Sequence, residues 1–507
     1  MQKNSSNKKR VLKNSAFNSL AWIFQVLFHI AIIPLIINNI GMEEFGLYSI
    51  SLIFVGYFSL TVGLNHAVIK YISEYYEKDD LKSVEAIINN SLLINLFISI
   101  IGMLLIVIFS KNCALNIFKI PEKLYFDAII IFKITGFGFV STTLNLFYLS
   151  IFKALQRYDV IGITIFFMSI VHFLIDFVII MLLGNIELLV LALVGVQSLS
   201  CMIYHMRLKR IIQGVHIYPK YEKKYFTNIL HFSTFSFTAS LAARLCFNLD
   251  RLFIGIILGT QAVGGYFTAQ APLQKMNNLG NKVLEIFFPY TSQMLALNNM
   301  KSIKRVYIKV SKYILFISIS IFIPIIICSY EILSFWINEE VARNISLITS
   351  ILATSFFINF QGILPSTVNL GVGRPKINWT FSVINLFITA IIIYPMLIRW
   401  GLIGAAITTF IRSLHIPILI YVTLKNVICI PIKSYLKNVL FIPILIGIFQ
   451  SFFLYIVTKN DALSFLMLIL VIIISVIINF LMGLILNMFD SDDKRLVVRM
   501  FSKRLNL

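Results

Sequence analysis

Nine ionisable side chains within long apolar stretches of this sequence are candidates for a functional role. A charged group costs roughly 3 kcal/mol or more at the centre of a lipid bilayer, so it normally faces a protein interior or a water-filled cavity. Six of the nine are cationic and three are acidic, so a cavity lined by them favours an anionic ligand. The residues are Lys133, Asp176, Arg244, Asp250, Arg251, Lys275, Lys282, Glu285 and Arg412.

The clearest arrangement of these charges lies in the apolar stretch at about residues 229–257. Arg244, Asn248 and Arg251 are spaced at i, i+4 and i+7, so they project from one face of a helix. We expect that face to form one wall of a cavity. Other pairs at helical spacing are Lys275 with Lys282, Lys282 with Glu285, Arg412 with His415, and His172 with Asp176.

Two interpretations of the acidic residues stay open from the residues alone. Asp176, Asp250 and Glu285 could form structural ion pairs with bases on neighbouring helices. Alternatively, they could be functional groups of the cavity that bind H+ or Na+. The candidate ligand-binding residues are Arg244, Asn248, Arg251, Lys275, Lys133 and Arg412. Of these, Arg251 and Lys133 could instead extend towards the lipid headgroups.

Enzyme motifs are not found in the sequence. It has no P-loop, HExxH or GxSxG pattern, and Gly136-Phe-Gly138 lies in a hydrophobic stretch without the strand that a dinucleotide site requires. The five cysteines have no paired spacing that indicates a metal site or a disulfide framework. We therefore expect a protein that is not an enzyme and that has neither a cofactor nor a metal site.

The elements that hold these residues must be membrane helices. Of the 507 residues, 59% are hydrophobic and 13% are charged, and the mean hydropathy is +0.89, which is outside the range of soluble domains. A membrane helix needs about 20 apolar residues, and about fourteen such stretches recur. Their approximate limits are 17–38, 47–69, 87–109, 127–152, 160–183, 187–206, 229–257, 266–290, 308–330, 346–370, 377–398, 403–424, 438–458 and 462–488.

Lys and Arg are concentrated in both tails and in the even-numbered connections between these stretches. This asymmetry predicts that both termini face the cytoplasm. The net charge of +21 is then explained by basic connections that face anionic lipid headgroups, such as Lys301, Lys304 and Arg305. Nucleic acid is therefore not an expected partner.

Several landmarks recur at one fixed offset, which indicates an internal repeat. The segments Gly41–Tyr48 and Gly259–Tyr266 both read Gly-x4-Gly-x-Tyr and are displaced by 218 residues, from 41 to 259. Two further pairs are displaced by 217 residues, namely Arg157 with Arg374 and Gly184 with Gly401. An even number of helices per repeat gives both halves the same orientation in the membrane.

The repeat predicts an all-α membrane protein built from two parallel six-helix lobes with a cleft between them. We assign residues 1–215 to the first lobe and 216–430 to the second. Residues 431–507 fall outside the repeat, and they are predicted to form two additional helices and a basic cytoplasmic tail.

The chain resembles the multidrug/oligosaccharidyl-lipid/polysaccharide exporter superfamily, and within it the Wzx-type flippases of bacterial polysaccharide synthesis. The resemblance covers nearly the whole chain, and its motifs occur in the family's order and spacing. The segments that carry it are 18–22 (Asn-Ser-Leu-Ala-Trp) with Pro34, 40–48, 250–255, 264–269 and 400–406.

This resemblance implies a bundle of twelve to fourteen helices whose two lobes open alternately to each side of the bacterial cytoplasmic membrane. It also implies a polyprenyl-pyrophosphate-linked oligosaccharide as substrate, with polysaccharide polymerase and glycosyltransferases as partners. Arginine binds phosphate through a planar fork, so the pyrophosphate is expected at Arg244, Lys275 and Arg412.

A cation-coupled exporter of small molecules, like the multidrug relatives of the superfamily, is the alternative. Those relatives often carry an acidic residue in helix 1, whereas residues 17–38 contain none. This departure favours the flippase prediction and leaves the coupling ion open.

Overall fold

The computed structural model describes residues 24–57, 62–284, 287–459 and 464–489. In a few helical segments, of which 234–247 is the longest, it describes the backbone and not the side chains. Within the described ranges the chain forms helices and no strands. Nine helical segments there are long and apolar enough to span a membrane, and the helix Phe24–Asn39 is a shorter apolar one. The predicted all-α membrane fold is therefore confirmed, while the count of about fourteen spans stays a prediction.

The helices of the first predicted lobe follow the apolar stretches closely. The predicted span 47–69 falls on two helices, α2 and α3, whereas the others are single helices. They are α1 (Phe24–Asn39), α2 (Met42–Tyr57), α3 (Val62–Glu77), α4 (Leu81–Asn112), α5 (Tyr125–Ala154), α6 (Tyr158–Leu182) and α7 (Ile186–Ile211).

The remaining helices are more often interrupted. The predicted span 377–398 and the first part of the span 403–424 lie in the long helix α15, in which Gly401 has a non-helical backbone (φ 55°, ψ −135°) that marks the turn between them. The helices are α8 (Lys223–Leu258), α9 (Thr260–Leu284), α10 (Phe287–Ala296), α11 (Met300–Ile327), α12 (Ser329–Trp336), α13 (Glu339–Gln361), α14 (Ile363–Gly371), α15 (Pro375–Ser413), α16 (His415–Thr423), α17 (Ile432–Tyr435), α18 (Phe441–Lys459) and α19 (Phe465–Ile485).

The predicted repeat is visible in the backbone conformation of its landmarks. Gly41 and Gly259 both have positive φ, at 128° and 85°, and Gly184 and Gly401 have φ values of 57° and 55°. Glycine adopts this region without the steric cost that a Cβ atom imposes. Two further pairs at the same offset, to within about one residue, also have positive φ, namely Gln156 with Gly373 and Asp79 with Asn298.

The starts of α4 and α11 are equivalent in the same way. The Asp80 carboxylate accepts a hydrogen bond from the Ser83 N–H at 3.1 Å, and the Asn299 side chain accepts one from the Ser302 N–H at 3.1 Å. Such caps satisfy N–H groups that have no partner within the helix. Turns and caps thus recur with the repeat, whereas the lobe limits at 215 and 430 stay a prediction.

The chain divides into two compact units. One comprises Met1–Thr268 with Ser382–Ala405, and the other comprises Ala269–Phe381 with Ala406–Leu507. In the first unit, apolar residues of α3, α4, α5 and α7 form one buried cluster that includes Val68, Ile88, Phe147, Phe152 and Tyr204. This cluster holds the helices of the first unit together.

Polar contacts join α5 to α7 within the first unit. The hydroxyls of Ser141 and Ser198 are 2.7 Å apart, and the Tyr148 hydroxyl lies 2.9 Å from Nδ1 of His205. Helices in lipid commonly associate through such interhelical hydrogen bonds, because lipid gives them little hydrophobic reason to pair.

In the second unit the additional helix pair is packed into the bundle. Cys328, Leu454 and Leu468 form a buried cluster at the junction of α11 and α12 with α18 and α19. The Gln450 amide donates a hydrogen bond to the Ser475 hydroxyl at 3.2 Å, which links α18 to α19. The segment after the sequence repeat is therefore an integral part of this unit.

Candidate functional site

A cluster of buried charged and aromatic side chains lies where α8 meets the start of α9. Asp250 is completely buried, and its Oδ2 accepts a hydrogen bond from the Tyr266 hydroxyl at 3.0 Å. Its Oδ1 accepts a hydrogen bond from the backbone N–H of Arg251, also at 3.0 Å. Donors therefore face both oxygens of this carboxylate.

The Arg251 side chain is buried beside the same helix junction. Its Nη2 donates a hydrogen bond to Oδ1 of Asn248 at 2.9 Å, and its guanidinium lies 5.0 Å from the ring centroid of Phe267. A guanidinium over an aromatic face gains cation–π attraction, which is stronger when water is excluded. The spacing argument correctly predicted that Asn248 and Arg251 share a face.

Arg244 is the third predicted member of that face. Its backbone lies in α8, and its side chain lies outside the described part of the structure. Glu285 also lies outside the described residues, together with its predicted pairing with Lys282. Their proposed roles therefore remain predictions.

The second buried acid lies in the middle of α6. Nε2 of His172 is 3.3 Å from Oδ2 of Asp176, as their i, i+4 spacing predicts. Asp176 is 5% exposed, and its Oδ1 is a buried atom that forms no hydrogen bond. Unlike Asp250, Asp176 is thus buried without a full set of donors.

The remaining predicted site residues differ in exposure. Arg412, at the end of α15, is buried, and its backbone carbonyl lies 2.7 Å from Nδ1 of His415. Lys275 on α9 is half-buried, whereas the Lys133 side chain on α5 is exposed. Arg412 and Lys275 belong to the second compact unit, and Lys133 belongs to the first.

Sequence reasoning missed the aromatic partners of the charges. Tyr266 was noted only as the last residue of the repeated motif, and it is the hydrogen-bond donor to Asp250. Phe267, the next residue, packs against Arg251. Two signals could have identified Tyr266 as a partner of a buried charge. It occupies a repeated motif position, and its hydroxyl lies in an apolar stretch, where it needs a hydrogen-bond partner.

No group of three or more His, Cys, Asp or Glu side chains that could hold a metal ion occurs among the described residues. Asp250 and Arg251 contact amide groups, a hydroxyl and an aromatic ring, and Asp176 lies beside His172. Such a set can bind an anion or exchange a proton.

Comparison with solved structures identifies the fold. The fold matches "Lipid II flippase MurJ, inward closed conformation" with a TM-score of 0.72 and 17% identity, over 92% of this chain and 98% of that one. It also matches a multidrug resistance MATE family transporter of the MOP superfamily in an inward-facing conformation, with a TM-score of 0.60 and 14% identity, over 82% of this chain and 99% of that one. The fold is therefore shared with these two transporters.

Sequence comparison identifies the family of this chain. The family described as "Polysaccharide biosynthesis protein" matches residues 11–295, more than half of the chain. A relative from Shigella flexneri named "Putative O-antigen transporter" is 24% identical over 409 residues, which cover 79% of this chain and 94% of the relative. This chain belongs to the polysaccharide biosynthesis protein family.

Proposed function

We propose that this protein is a flippase that moves a polyprenyl-pyrophosphate-linked oligosaccharide from the inner to the outer leaflet of the bacterial cytoplasmic membrane. The observation that carries the proposal is a buried arginine, Arg251, in the predicted membrane helix α8 of a transporter fold whose family is named for polysaccharide biosynthesis. A buried cation in such a helix normally serves a ligand pathway or a structural pair.

The pyrophosphate group is the part of the substrate that such cations would bind. Arg251 is oriented by Asn248 and Phe267, and Arg412 is also buried. A guanidinium can donate two parallel hydrogen bonds to a phosphate, and it keeps its charge when it is desolvated. We assign Arg244 and Lys275 to the same role from their positions in the sequence, with Lys133 as an additional cation on α5.

Asp176 is the acid best suited to couple transport to an ion gradient. It is buried with one oxygen that forms no hydrogen bond, whereas Asp250 has donors at both oxygens. A buried carboxylate with one oxygen that has no donor is costly when ionised, and uptake of H+ or Na+ would remove that cost. Asp250 and Glu285 remain the other coupling candidates.

The proposed topology places both termini in the cytoplasm and the turns that contain Gly41 and Gly259 on the outer side. Glycosyltransferases would supply the substrate, and the polysaccharide polymerase would consume it. They are therefore the proposed partners, together with the anionic lipids of the inner leaflet.

Deletion of the protein in its own cell tests the proposal. We expect lipid-linked oligosaccharide to accumulate on the cytoplasmic leaflet, surface glycan to be lost, and sensitivity to drugs to stay unchanged. Normal surface glycan together with new drug sensitivity would contradict the proposal and would favour the cation-coupled drug exporter.

Complementation of the deletion strain tests the cationic residues. We expect Arg244→Ala and Lys275→Ala to fail at normal protein level, and Arg244→Lys to recover part of the activity because the charge survives. Arg343→Ala is the matched control, because Arg343 is an exposed arginine paired with Glu339 and its loss should be tolerated. Full activity of Arg244→Ala would exclude that residue from the pathway.

A further inference from the structure

Residues 270–282 of α9 include an unusual number of carboxamide side chains. Five asparagine and glutamine residues occur there, and all five belong to the second compact unit. Because a helix turns by about 100° per residue, the five positions fall within an arc of roughly 100° on one side of α9. We call this side the amide face, and its residues are Gln270, Gln274, Asn277, Asn278 and Asn281.

The opposite side of α9 is apolar. It carries Pro272, Met276, Leu279 and Val283. Next to this side, a Cβ atom added to Gly280 would lie 2.5 Å from Cε2 of Phe360, so α9 packs closely against α13 there. The helix is therefore amphipathic, with the amide face on one side and an apolar surface on the other.

The length and the polarity of α9 differ from those of an ordinary membrane helix. It has 25 residues, which exceeds the roughly 20 that a membrane helix needs. It is nevertheless not one of the nine apolar segments found among the described residues, because the amide face lowers its hydropathy. A carboxamide without a hydrogen-bond partner is costly in lipid. The amide face must therefore lie against the protein interior or a water-filled pathway.

Two lysines border the amide face. Lys275 and Lys282 are displaced from Asn278 by roughly 60° and 40° around the helix, on the side away from Asn277. A neutral surface rich in donors and acceptors thus lies beside a cationic one on α9. A ligand that fits both surfaces has a neutral part with many hydrogen-bonding groups next to an anionic part.

The amide face has a hydrogen-bond acceptor that packing leaves unused. Asn277 is 9% exposed, and its Oδ1 is a buried atom that forms no hydrogen bond. Asn278 and Asn281 are exposed, and the Asn281 amide donates a hydrogen bond to the backbone carbonyl of Asn277 at 3.1 Å, within the same helix. A carboxamide has two N–H donors and an oxygen acceptor. The Asn277 oxygen therefore lacks a partner that a ligand can supply.

The first repeat has no equivalent of the amide face. The offset of 218 residues that relates the two Gly-x4-Gly-x-Tyr segments also gives the equivalent positions in the first repeat. They are Leu52, Gly56, Ser59, Leu60 and Gly63. Since none of these is a carboxamide, the repeated architecture does not require the amide face, and a function specific to the second repeat explains it better.

We infer that the amide face binds the hydroxyl groups of the oligosaccharide, while the lysines at its edge bind the adjoining pyrophosphate. The inference rests on the proposed function and deepens it, because it names the residues that recognise the glycan. A sugar hydroxyl both donates and accepts hydrogen bonds, and so does a carboxamide, whereas a lysine ammonium only donates. The neutral and cationic surfaces of α9 thus match the glycan and the pyrophosphate of the substrate.

Such a face selects lipids that carry the whole glycan. Polar groups that are placed to bind hydroxyls are left unpaired by a ligand that lacks them, which is a strong basis for rejection. Truncation of an amide should therefore lower the transport of a large glycan much more than the transport of a single sugar. Truncation of a lysine should lower both, because every such substrate carries the pyrophosphate.

Transport of two lipids in proteoliposomes tests the amide face. Both carry the same polyprenyl pyrophosphate, one with the complete oligosaccharide from the protein's own cell and the other with its first sugar alone. A membrane-impermeant sugar-oxidising reagent follows the appearance of each sugar on the outer leaflet. We expect Gln274→Ala and Asn278→Ala each to lower the oligosaccharide rate by at least about fivefold, the equivalent of one hydrogen bond, and to leave the single-sugar rate within about twofold of wild type.

Three further variants are the controls, at matched amounts of folded protein in the vesicles. Val283→Ala lies on the apolar side of the same helix, where Val283 is 60% exposed, so it should leave both rates unchanged. Asn278→Gln keeps a donor and an acceptor and should recover part of the oligosaccharide rate. Lys275→Ala should lower both rates by the same factor.

The outcomes separate this inference from the proposed function. Equal losses for the two lipids in both amide variants would overturn the inference, because the amides would then support the bundle and not the glycan. If Asn278→Ala does not fold, Gln274→Ala and Asn278→Gln decide the question. Full oligosaccharide transport in both amide variants would contradict the amide face and leave the flippase proposal intact. A wild-type protein that moves neither lipid would contradict the proposed function itself.

Discussion

The two buried acids, Asp250 and Asp176, lie in opposite electrostatic environments. Asp250 accepts hydrogen bonds from the Tyr266 hydroxyl and from a backbone N–H, and a buried arginine follows it in the sequence. Asp176 lies 3.3 Å from His172 and has a buried oxygen without a hydrogen bond. A carboxylate that is supplied with donors is stabilised in its charged form, whereas one without them gains from taking up a cation. We therefore assign a structural role to Asp250 and the coupling role to Asp176.

The largest expected effect is that of Asp176→Asn on transport. Asn keeps the size of the side chain and removes the group that would carry the proton, so we expect transport driven by a pH gradient to fall at least about 100-fold. The amount of folded protein should stay normal, because a buried carboxylate with an oxygen that forms no hydrogen bond has been replaced by a neutral amide. The measurement is flipping of lipid-linked oligosaccharide in proteoliposomes with an imposed gradient.

Asp176→Glu is the matched variant for that experiment. It retains an ionisable group and should recover part of the gradient-driven transport. Transport by Asp176→Asn at the wild-type rate would exclude Asp176 as the coupling residue and would return the role to Asp250 or Glu285.

The second largest effect is expected for Arg251→Ala. Loss of a charge-assisted hydrogen bond to the substrate costs about 1.5 kcal/mol or more, which corresponds to roughly tenfold lower transport. Arg251→Lys should lie between wild type and Arg251→Ala, because it keeps the charge without the planar fork. Surface glycan is measured in the deletion strain at matched protein levels, and equal activity of Arg251→Ala and wild type would limit Arg251 to a structural role.

Asp250→Ala is expected to change stability rather than transport. It removes the acceptor of the Tyr266 hydroxyl inside the bundle, so the free energy of unfolding should fall by about 1–3 kcal/mol. Tyr266→Phe removes only the hydroxyl and should cost about 1 kcal/mol. Thermal unfolding in detergent measures both variants. Transport per folded molecule should be retained in each, and its loss in Asp250→Ala at unchanged stability would reverse the roles of the two acids.

The smallest effect is expected for Tyr148→Phe, which removes the hydrogen bond between α5 and His205 of α7. Interhelical hydrogen bonds in membrane proteins contribute about 0.6 kcal/mol on average. We expect a small decrease in the unfolding temperature and no change in transport. The decrease should be absent when His205 is already replaced by Ala, and a large loss of transport would indicate that this pair belongs to the pathway.

Much of the fold could be predicted because its signals are local. Apolar length predicts membrane helices, and the repeated Gly-x4-Gly-x-Tyr motif predicts equivalent turns, which the positive φ of Gly41 and Gly259 confirms. Helical spacing likewise predicted that Asn248 shares a face with Arg251, and that His172 shares one with Asp176. Each of these signals either acts within a few helical turns or recurs at a fixed distance in the sequence.

Contacts between different helices could not be predicted in this way. Asp250 and Tyr266 lie on either side of a helix break, and Gly46 contacts Thr260, more than two hundred positions away. Such contacts depend on how helices cross, which periodicity does not determine. The sequence could therefore identify a buried acid but could not distinguish Asp250, which has donors at both oxygens, from Asp176, which has one buried oxygen without a donor.

The most direct test of the flippase proposal is leaflet exchange by the purified protein. Lipid-linked oligosaccharide extracted from the protein's own cell is incorporated into proteoliposomes, and the glycan on the outer leaflet is cleaved by an impermeant glycosidase. We expect nearly all of the glycan to become cleavable when wild-type protein is present and a pH gradient is applied, and only the outer-leaflet half in vesicles without protein. Identical cleavage with and without the folded protein would contradict the proposed function.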